Sequence, residues 1–387
     1  METKQSNLAR LVPVMFAFFV MGFVDMVGTA TNYVKADFAL SDTMANFLPS
    51  MVFLWFFLLS VPTGLLMNRI GKRKTVLLSL AVTALALILP MFAYNYPVLL
   101  ASFCLLGIGN TLMQVSLNPL ASCIVSGEKF ASTLTFGQFI KAIASFIAPI
   151  IASWASLHFG NWRLLYPIFL AFAVIATVYL WLTRIEEEIP KDKSSGFIQC
   201  LKLLGDSSVL LLFLGIVAHV GIDVGVNTCA PKIIMERLAL PLEKAGIATS
   251  IYFLFRTLGC LSGSFILAKF PLKKFFAVSV ACMVLAMIGL FVCKSLIGIY
   301  VAIALVGFGN SNIFSMVFSR ALYYLPERGN EMSGLMIMGL IGGTVFPLLM
   351  GVLSDAMGTQ AGSVIVISIG VAYLVYLAFA FLKKERV

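Results

Sequence analysis

Runs of about twenty mostly apolar residues, broken by short clusters of charge, glycine and proline, follow one another along almost the whole chain. Hydropathy gives twelve spans, centred near residues 22, 55, 85, 110, 143, 173, 217, 256, 284, 308, 343 and 372. In hydrocarbon a single segment satisfies its own backbone only as a helix, so each run predicts a membrane-crossing α-helix. The first run, from Leu11 to about Val34, is too long for a signal-peptide core and lacks a small-residue cleavage site. It therefore stays as the first span. Connections are short except at 184–206, which holds RIEEEIPKDKSSG. That segment reads as a solvated cytoplasmic linker between an N-terminal six-helix bundle, 1–183, and a C-terminal six-helix bundle, 207–387.

The two bundles echo each other at a spacing near 200 residues. LLGIGNT at 105–111 returns as LVGFGNS at 305–311, and GFVDMVG around Asp25 has a counterpart in VGIDVGVN around Asp223. TGLLMNRIGKRK at 63–74 parallels SGSFILAKFPLKK at 262–274, and Pro149 parallels Pro347. Four matches in one order predict an all-α membrane protein of twelve transmembrane helices in two pseudo-symmetric six-helix bundles. Parallel repeats with a site at their interface belong to alternating-access carriers.

Composition agrees and then narrows the chemistry. Of 387 residues, 60% are apolar and 11% charged, whereas a soluble domain carries about 25% charge. With both termini inside, eighteen of the 27 basic residues fall on cytoplasmic segments and six outside, including Lys232. This bias orients the chain and accounts for the net charge of +10 without a nucleic-acid partner. The other three, Lys141, Arg256 and Arg320, lie within or at the edge of spans. The seven cysteines have no metal-ligand spacing and read as unpaired core residues. No Asn-x-Ser/Thr sequon occurs, which leans toward a bacterial cytoplasmic (inner) membrane. GIGN and GLIGG follow no strand and lack the GxxxxGK spacing, so they are close-packing sites. With no nucleotide site or cofactor in view, an ion gradient, Na⁺ or H⁺, is the expected energy source. The chain reads as a monomer.

On these residues the chain resembles the major facilitator superfamily. Its signature between the second and third spans appears as Gly64 followed by Asn68-Arg69-Ile70-Gly71-Lys72-Arg73-Lys74, with Asn68 in place of the usual acid. GIGNTLMQVSLNP at 107–119, LTFGQFIKA at 134–142 and SGLMIMGLIGGTVFPLLMGVLSDAMG at 333–358 look more specifically like the fucose–galactose–glucose–mannose permease family. That resemblance covers essentially the whole chain. It implies a central cavity and monosaccharide uptake driven by a cation gradient. The family's carboxylate of the fourth span falls at Gln114, and its glutamine of the fifth span matches Gln138. The asparagine three residues later is Lys141 here, and the acid of the first span falls near Asp25, offset by about one turn. Coupling through the same set of residues is therefore not implied.

Polar residues inside the spans are the candidate site. Asp25, Thr29 and Asn32 share one helical face, as do Gln138, Lys141 and Ser145. An ionised carboxylate deep in a bilayer costs several kcal/mol, so Asp25 faces a cavity or a partner, and Lys141 is the natural partner. The two are either a structural pair, or groups that meet water separately, or the place where Asp25 binds the coupling cation, with Na⁺ the candidate metal, while Lys141 alternates between Asp25 and sugar hydroxyls. Asn110, Gln114 and Asn118 make an amide strip suited to sugar hydroxyls, or else interhelical glue. His219, Asp223 and Asn227 share a face of the seventh span. Arg256 pairs with Asp223 if the symmetry holds, and His219 serves as a further charge partner or a satisfied core residue. Asn310 and Asn312 add amides from the tenth span. Trp55 and Tyr252 are the candidate aromatic platforms for sugar CH faces. Asp25, Thr29, Asn110 and Asp223 are expected at the coupling cation. Asn32, Trp55, Gln114, Asn118, Gln138, Lys141, Asn227, Tyr252, Asn310 and Asn312 are expected at the substrate.

The leading expectation is cation-coupled symport of a hexose or deoxyhexose into the cell, with Na⁺ slightly favoured because one carboxylate among neutral oxygens suits a hard cation. An exporter of drugs or metabolites shares the fold but usually has a greasier cavity. A membrane-embedded transferase would need a clustered acid–His motif at a membrane surface, and neither His158 nor His219 sits in one. The expected protein is a transporter and not an enzyme.

Overall fold

The computed structural model describes residues 7–125, 128–187, 197–267, 271–325 and 328–383. Among them are twelve helices long and apolar enough to cross a membrane. They are α1 (Ala9–Asp37), α2 (Asp42–Ile70), α3 (Lys72–Phe92), α4 (Tyr96–Ala121), α5 (Phe136–Phe159), α6 (Trp162–Leu182), α7 (Ser207–Leu238), α8 (Leu242–Gly263), α9 (Leu272–Val292), α10 (Leu296–Ala321), α11 (Met332–Met357) and α12 (Ala361–Ala380). No strand occurs among the described residues. All twelve expected span centres fall inside these helices.

Local sequence sets the helix starts. Ser41, Asn95, Asp206 and Ser295 accept hydrogen bonds from the first turns of α2, α4, α7 and α10, satisfying amides that a helix leaves unpaired. Between α2 and α3 the chain reverses at Gly71, whose φ of 90° is open to glycine and strained for other residues. The carboxylate at this turn comes from Glu187, which accepts the Lys72 and Arg73 amides. Arg73 reaches the carbonyls of Leu180 and Trp181 at 3.2 and 2.6 Å. The expected linker at 184–206 is only partly a linker. Residues 188–196 lie outside the described residues, but Phe197–Lys202 forms a short helix and Leu203–Gly205 a 3₁₀ turn. Cys200 and Leu203 are buried, so part of the FIQCLKLL stretch at 197–204 is packed against the helices and not solvated.

The internal repeat has a physical counterpart in how helices approach. At Gly107 of α4 an added Cβ would lie 2.2 Å from the Val52 carbonyl of α2. At Gly307 of α10 it would lie 2.5 Å from the Tyr252 carbonyl of α8. The small residues allow backbone-to-backbone contact, and the two contacts are exactly 200 residues apart in both partners. One turn further on, the Asn110 amide donates to the Met21 carbonyl of α1 at 2.8 Å. The Asn310 amide likewise donates to the His219 carbonyl of α7 at 3.2 Å.

Five of the twelve spans are not continuous α-helix: α6 opens on a 3₁₀ turn at Trp162–Leu164, α8 is interrupted at Gly246 and α10 at 311–312, and two others carry an internal 3₁₀ turn. α1 passes through a 3₁₀ turn at Gly22–Asp25 and α11 through another at Gly339–Ile341. The α1 turn rests on α5, where an added Cβ at Gly22 would meet the Lys141 carbonyl at 2.4 Å. Asp25 closes this turn, so the turn fixes its position opposite α5.

Antiparallel succession puts the connections 38–41, 93–95, 160–161, 239–241, 293–295 and 358–360 at the end away from the termini, the distal end. There the first and last six helices are tied together by polar contacts. Asp42 accepts from Lys35 at 2.8 Å and from Lys232 at 2.7 Å. Its other oxygen accepts from Gln360 at 2.8 Å. Asp355, at the end of α11, accepts the backbone amides of Asp42 and Thr43 at 2.8 Å each, a carboxylate at the positive end of α2. Deeper in, Ser50 and Thr344 exchange hydrogen bonds with each other's carbonyls at 3.0 and 3.1 Å. Ser153 donates to the Glu243 carbonyl and Ser250 to the Phe146 carbonyl. Lys232, expected outside among solvated residues, is buried inside α7 because Asp42 compensates its charge.

Candidate functional site

Between α1, α5 and α8 lies a cavity of ≈ 110 Å³ lined by Asp25, Gln138, Lys141, Ser145, Arg256, Thr257 and Cys260, with Phe139 and Phe253 as its aromatic walls. It joins residues from both repeats, more than about 100 positions apart in sequence. Asp25 Oδ2 accepts a hydrogen bond from Ser145 at 2.6 Å, and its backbone carbonyl accepts one from the Asn227 amide at 3.1 Å. Lys141 shares the cavity with Asp25, yet no ion pair within 4.0 Å joins them. The two charges thus face one space without closing on each other. A small polar or cationic guest can sit between them.

On the opposite wall Arg256 is paired. Its Nη2 lies 3.1 Å from Asp223 Oδ2, and its guanidinium is 5.9 Å from the Phe253 ring centroid. Tyr252 donates to Asp223 Oδ1. The Tyr252 hydroxyl accepts from the Asn310 amide at 3.4 Å, and Asn310 Oδ1 faces His219 Nδ1 at 2.8 Å. His219 therefore belongs to the Asp223 network through Asn310 and does not itself line the cavity. Two acids and two bases leave this interior region formally neutral, which limits the cost of keeping four charges out of water.

Several expected contacts take other roles. Trp55 donates its indole N–H to Cys104 at 3.1 Å on the α2–α4 contact, and Tyr252 is fully buried behind Arg256. Neither lines the cavity; Phe139 and Phe253 supply the aromatic surface instead. The amides of Asn110 and Asn310 hold carbonyls of α1 and α7, and Asn312 donates to the Gly259 carbonyl at 2.7 Å. Asn32 bridges the carbonyls of Gly28 and Thr228 at 3.0 and 3.1 Å. Asn32, Asn110 and Asn227 each keep a side-chain oxygen without a partner, as does the Thr29 hydroxyl. Gln114 and Asn118 are half-buried on the half of α4 nearer the termini and do not line the cavity. Gln138 and Lys141 do.

A second cavity, of ≈ 720 Å³, opens at the distal end and is lined by Asn32, Lys35, Asp42, Lys232, Glu236, Asp355 and Gln360 among others. It is larger, but its charges are consumed by the contacts that seal that end. The smaller central cavity holds the charges that fold alone does not account for. Phe253, Thr257 and Cys260 could have been found in the sequence, since they share a helical face with Arg256. The Asp42–Lys232 pair gave no such signal, because its members lie 190 residues apart, Asp42 at the first residue of α2 and Lys232 within the last two turns of α7.

A model of the Major Facilitator Superfamily matches residues 14–336. Among curated proteins, a glucose/galactose transporter of Brucella abortus is 26% identical over 365 residues, covering 88% of this chain and 86% of that protein. A putative glucose/galactose transporter of Helicobacter pylori is 23% identical over 407 residues, covering 99% and 98%. Among solved structures, the E. coli fucose:proton symporter FucP aligns with a TM-score of 0.68 at 18% identity, over 97% of this chain and 99% of that one. A bacterial homolog of the human lysosomal transporter Spinster, inward-facing and unoccupied, aligns with a TM-score of 0.73 at 16% identity, over 98% of each. These structural likenesses concern the fold.

Proposed function

The chain belongs to the Major Facilitator Superfamily, and from that premise we propose that it is a symporter carrying a monosaccharide, a hexose or deoxyhexose, into the cell with a coupling cation. The observation that carries this reading is the central cavity. It lies on the seam between the two repeats and presents unpaired hydrogen-bonding groups beside two aromatic rings. Sugars need both kinds of surface: polar groups for hydroxyls and an apolar face for ring CH groups. The names of the Brucella and Helicobacter relatives support a hexose over other small solutes.

Alternating access follows from the distal seal. In this conformation polar contacts between the first and last six helices close the distal end, which leaves exchange of the guest to the end with the termini. With the termini cytoplasmic in a bacterial inner membrane, as the basic-residue bias supports, this is the state that releases sugar inward. Asp25 is the candidate cation ligand: its carboxylate faces the cavity with one oxygen bound to Ser145. One carboxylate with neutral oxygens favours Na⁺ over H⁺.

The test is counterflow in proteoliposomes with labelled glucose, galactose, mannose and fucose, varying Na⁺ and pH independently. Saturable uptake of at least one sugar, accelerated by Na⁺ at fixed pH, is the expected result. Absence of saturable sugar exchange under every condition would reject the reading.

A further inference from the structure

The two repeat-related acids, Asp25 and Asp223, are bound in different ways. Asp223 is engaged on each oxygen, one by a hydrogen bond from the Tyr252 hydroxyl and the other by the ion pair with the Arg256 guanidinium. Tyr252 is itself held by Asn310, and its carbonyl is pressed against Gly307. The Asp25 carboxylate accepts only from Ser145, and among the described residues no donor reaches its second oxygen.

The difference is written in the repeat. The Gly107–Val52 and Gly307–Tyr252 contacts align α2 with α8 at a spacing of 200 residues. In that alignment Tyr252 corresponds to Val52 and Arg256 to Phe56. Both donors that fix Asp223 are thus apolar residues in the first repeat. Asp25 has a carboxylate in the corresponding place but none of its clamp.

A carboxylate with a charged and a neutral donor on its two oxygens is stabilised as the anion and has little capacity left for another cation. A carboxylate with one hydroxyl donor and an open oxygen can exchange ligands. We propose that the acids divide the work: Asp25 alone exchanges the coupling cation, while Asp223 stays ionised and serves as the positioning residue that holds Arg256 in the cavity for the sugar. The assignment rests on the cation coupling proposed above. Groups able to alter the cation response at Asp25 face it from two helices: Lys141 on α5, and Arg256 and Cys260 on α8.

The experiment measures cation binding without sugar. The melting temperature of the purified protein is titrated with Na⁺ at fixed pH, and with pH in the absence of Na⁺, for the wild type, Asp25→Asn and Asp223→Asn. Tyr252→Phe, which removes one donor and keeps the carboxylate, stands in if Asp223→Asn does not fold. Asp25→Asn is expected to abolish the cation-dependent shift. Asp223→Asn and Tyr252→Phe should keep its midpoint within about threefold while weakening sugar binding in counterflow by about tenfold or more, the loss of a charge-assisted contact. Arg256→Lys, which keeps the charge but not the fork, should recover part of that affinity relative to Arg256→Met. A cation midpoint displaced more than tenfold by Asp223→Asn or Tyr252→Phe overturns the division, as does a full response in Asp25→Asn. So does a wild type indifferent to both Na⁺ and pH. If sugar counterflow is absent while the cation pattern appears as stated, the sugar reading fails and with it the role of Arg256 toward the sugar, while the assignment of cation exchange to Asp25 alone stands.

Discussion

Asp42→Asn gives a quantitative test of the distal seal. The substitution removes the anion between Lys35 and Lys232. The Lys35 side chain is 30% exposed, and a rim pair of this kind is worth about 0–1 kcal/mol. The Lys232 side chain is only 7% exposed, and an ammonium buried without its partner costs about 3–5 kcal/mol. Asn46 Oδ1 at 3.5 Å and the new amide oxygen remain as acceptors, which reduces the penalty to about 2–3 kcal/mol. When the distal end opens Lys232 meets water, so the penalty falls on the sealed state alone. The ratio of open to sealed molecules should rise by about 30- to 150-fold. Cys229, a turn before Lys232 on α7 and 1% exposed, is a native reporter once the other six cysteines are replaced by serine or alanine. Its maleimide labelling rate should rise by that factor if labelling proceeds from the open population. Adding Lys232→Met to Asp42→Asn removes the orphaned charge and should bring the rate back to within about tenfold of the parent. An unchanged rate in Asp42→Asn, or a double variant labelling as fast as the single one, would refute the role given to this pair.

Other consequences are separable by simple measurements. Asn110→Ala and Asn310→Ala each remove the interhelical hydrogen bond to a buried carbonyl of α1 or α7 and should lower stability by about 1 kcal/mol, read as a fall in melting temperature; loss of sugar affinity at unchanged stability would instead make them substrate contacts. Phe139→Ala and Phe253→Ala should raise the sugar KM by about tenfold, whereas Trp55→Phe should change it less than about twofold, measured by initial rates of counterflow. Glu187→Ala uncaps the start of α3 and should cost about 1 kcal/mol of stability, with transport by the folded protein retained.

Twelve helices were legible in the sequence because the bilayer imposes one length and one composition on every span. Hydropathy needs no knowledge of partners to see that. The Arg256–Asp223 pair was also legible, since repeat symmetry placed Asp223 opposite Asp25 and left Arg256 as an unexplained cation in the adjacent span. Direction along a helix was harder. Asp25 and Asn32 share a face, yet the 3₁₀ turn and the length of α1 put Asp25 in the central cavity and Asn32 in the distal one. The asparagines read as sugar contacts because an amide has the same donor and acceptor set for a hydroxyl as for a carbonyl of a neighbouring helix. Only the distance to Met21 or His219 separates the two roles. Lys232 was hidden for a related reason: near the end of a span, a buried lysine and a solvated one look alike until the carboxylate from the other repeat is in place.

The repeat also explains where asymmetry enters. Backbone contacts are copied between the halves: Gly107 with Gly307, Asn110 with Asn310, each holding an equivalent neighbour. These contacts set helix spacing, and a carrier whose halves rock against each other needs that spacing in both. Side chains that face the cavity are not copied. Val52 and Phe56 stand where Tyr252 and Arg256 would be, and Lys141 of α5 corresponds to Gly339 of α11 when Pro149 is aligned with Pro347. One repeat thus contributes an acid with an open oxygen and a lysine not closed onto it, and the other a clamped acid and an arginine. A two-fold cavity would bind its guest equally well in two orientations. Replacing a donor pair by Val and Phe on one side removes that degeneracy while leaving the helix packing unchanged. For the symport proposed above this arrangement has a use: cation and sugar would occupy different subsites of one cavity, and only side chains exempt from the repeat can make those subsites differ.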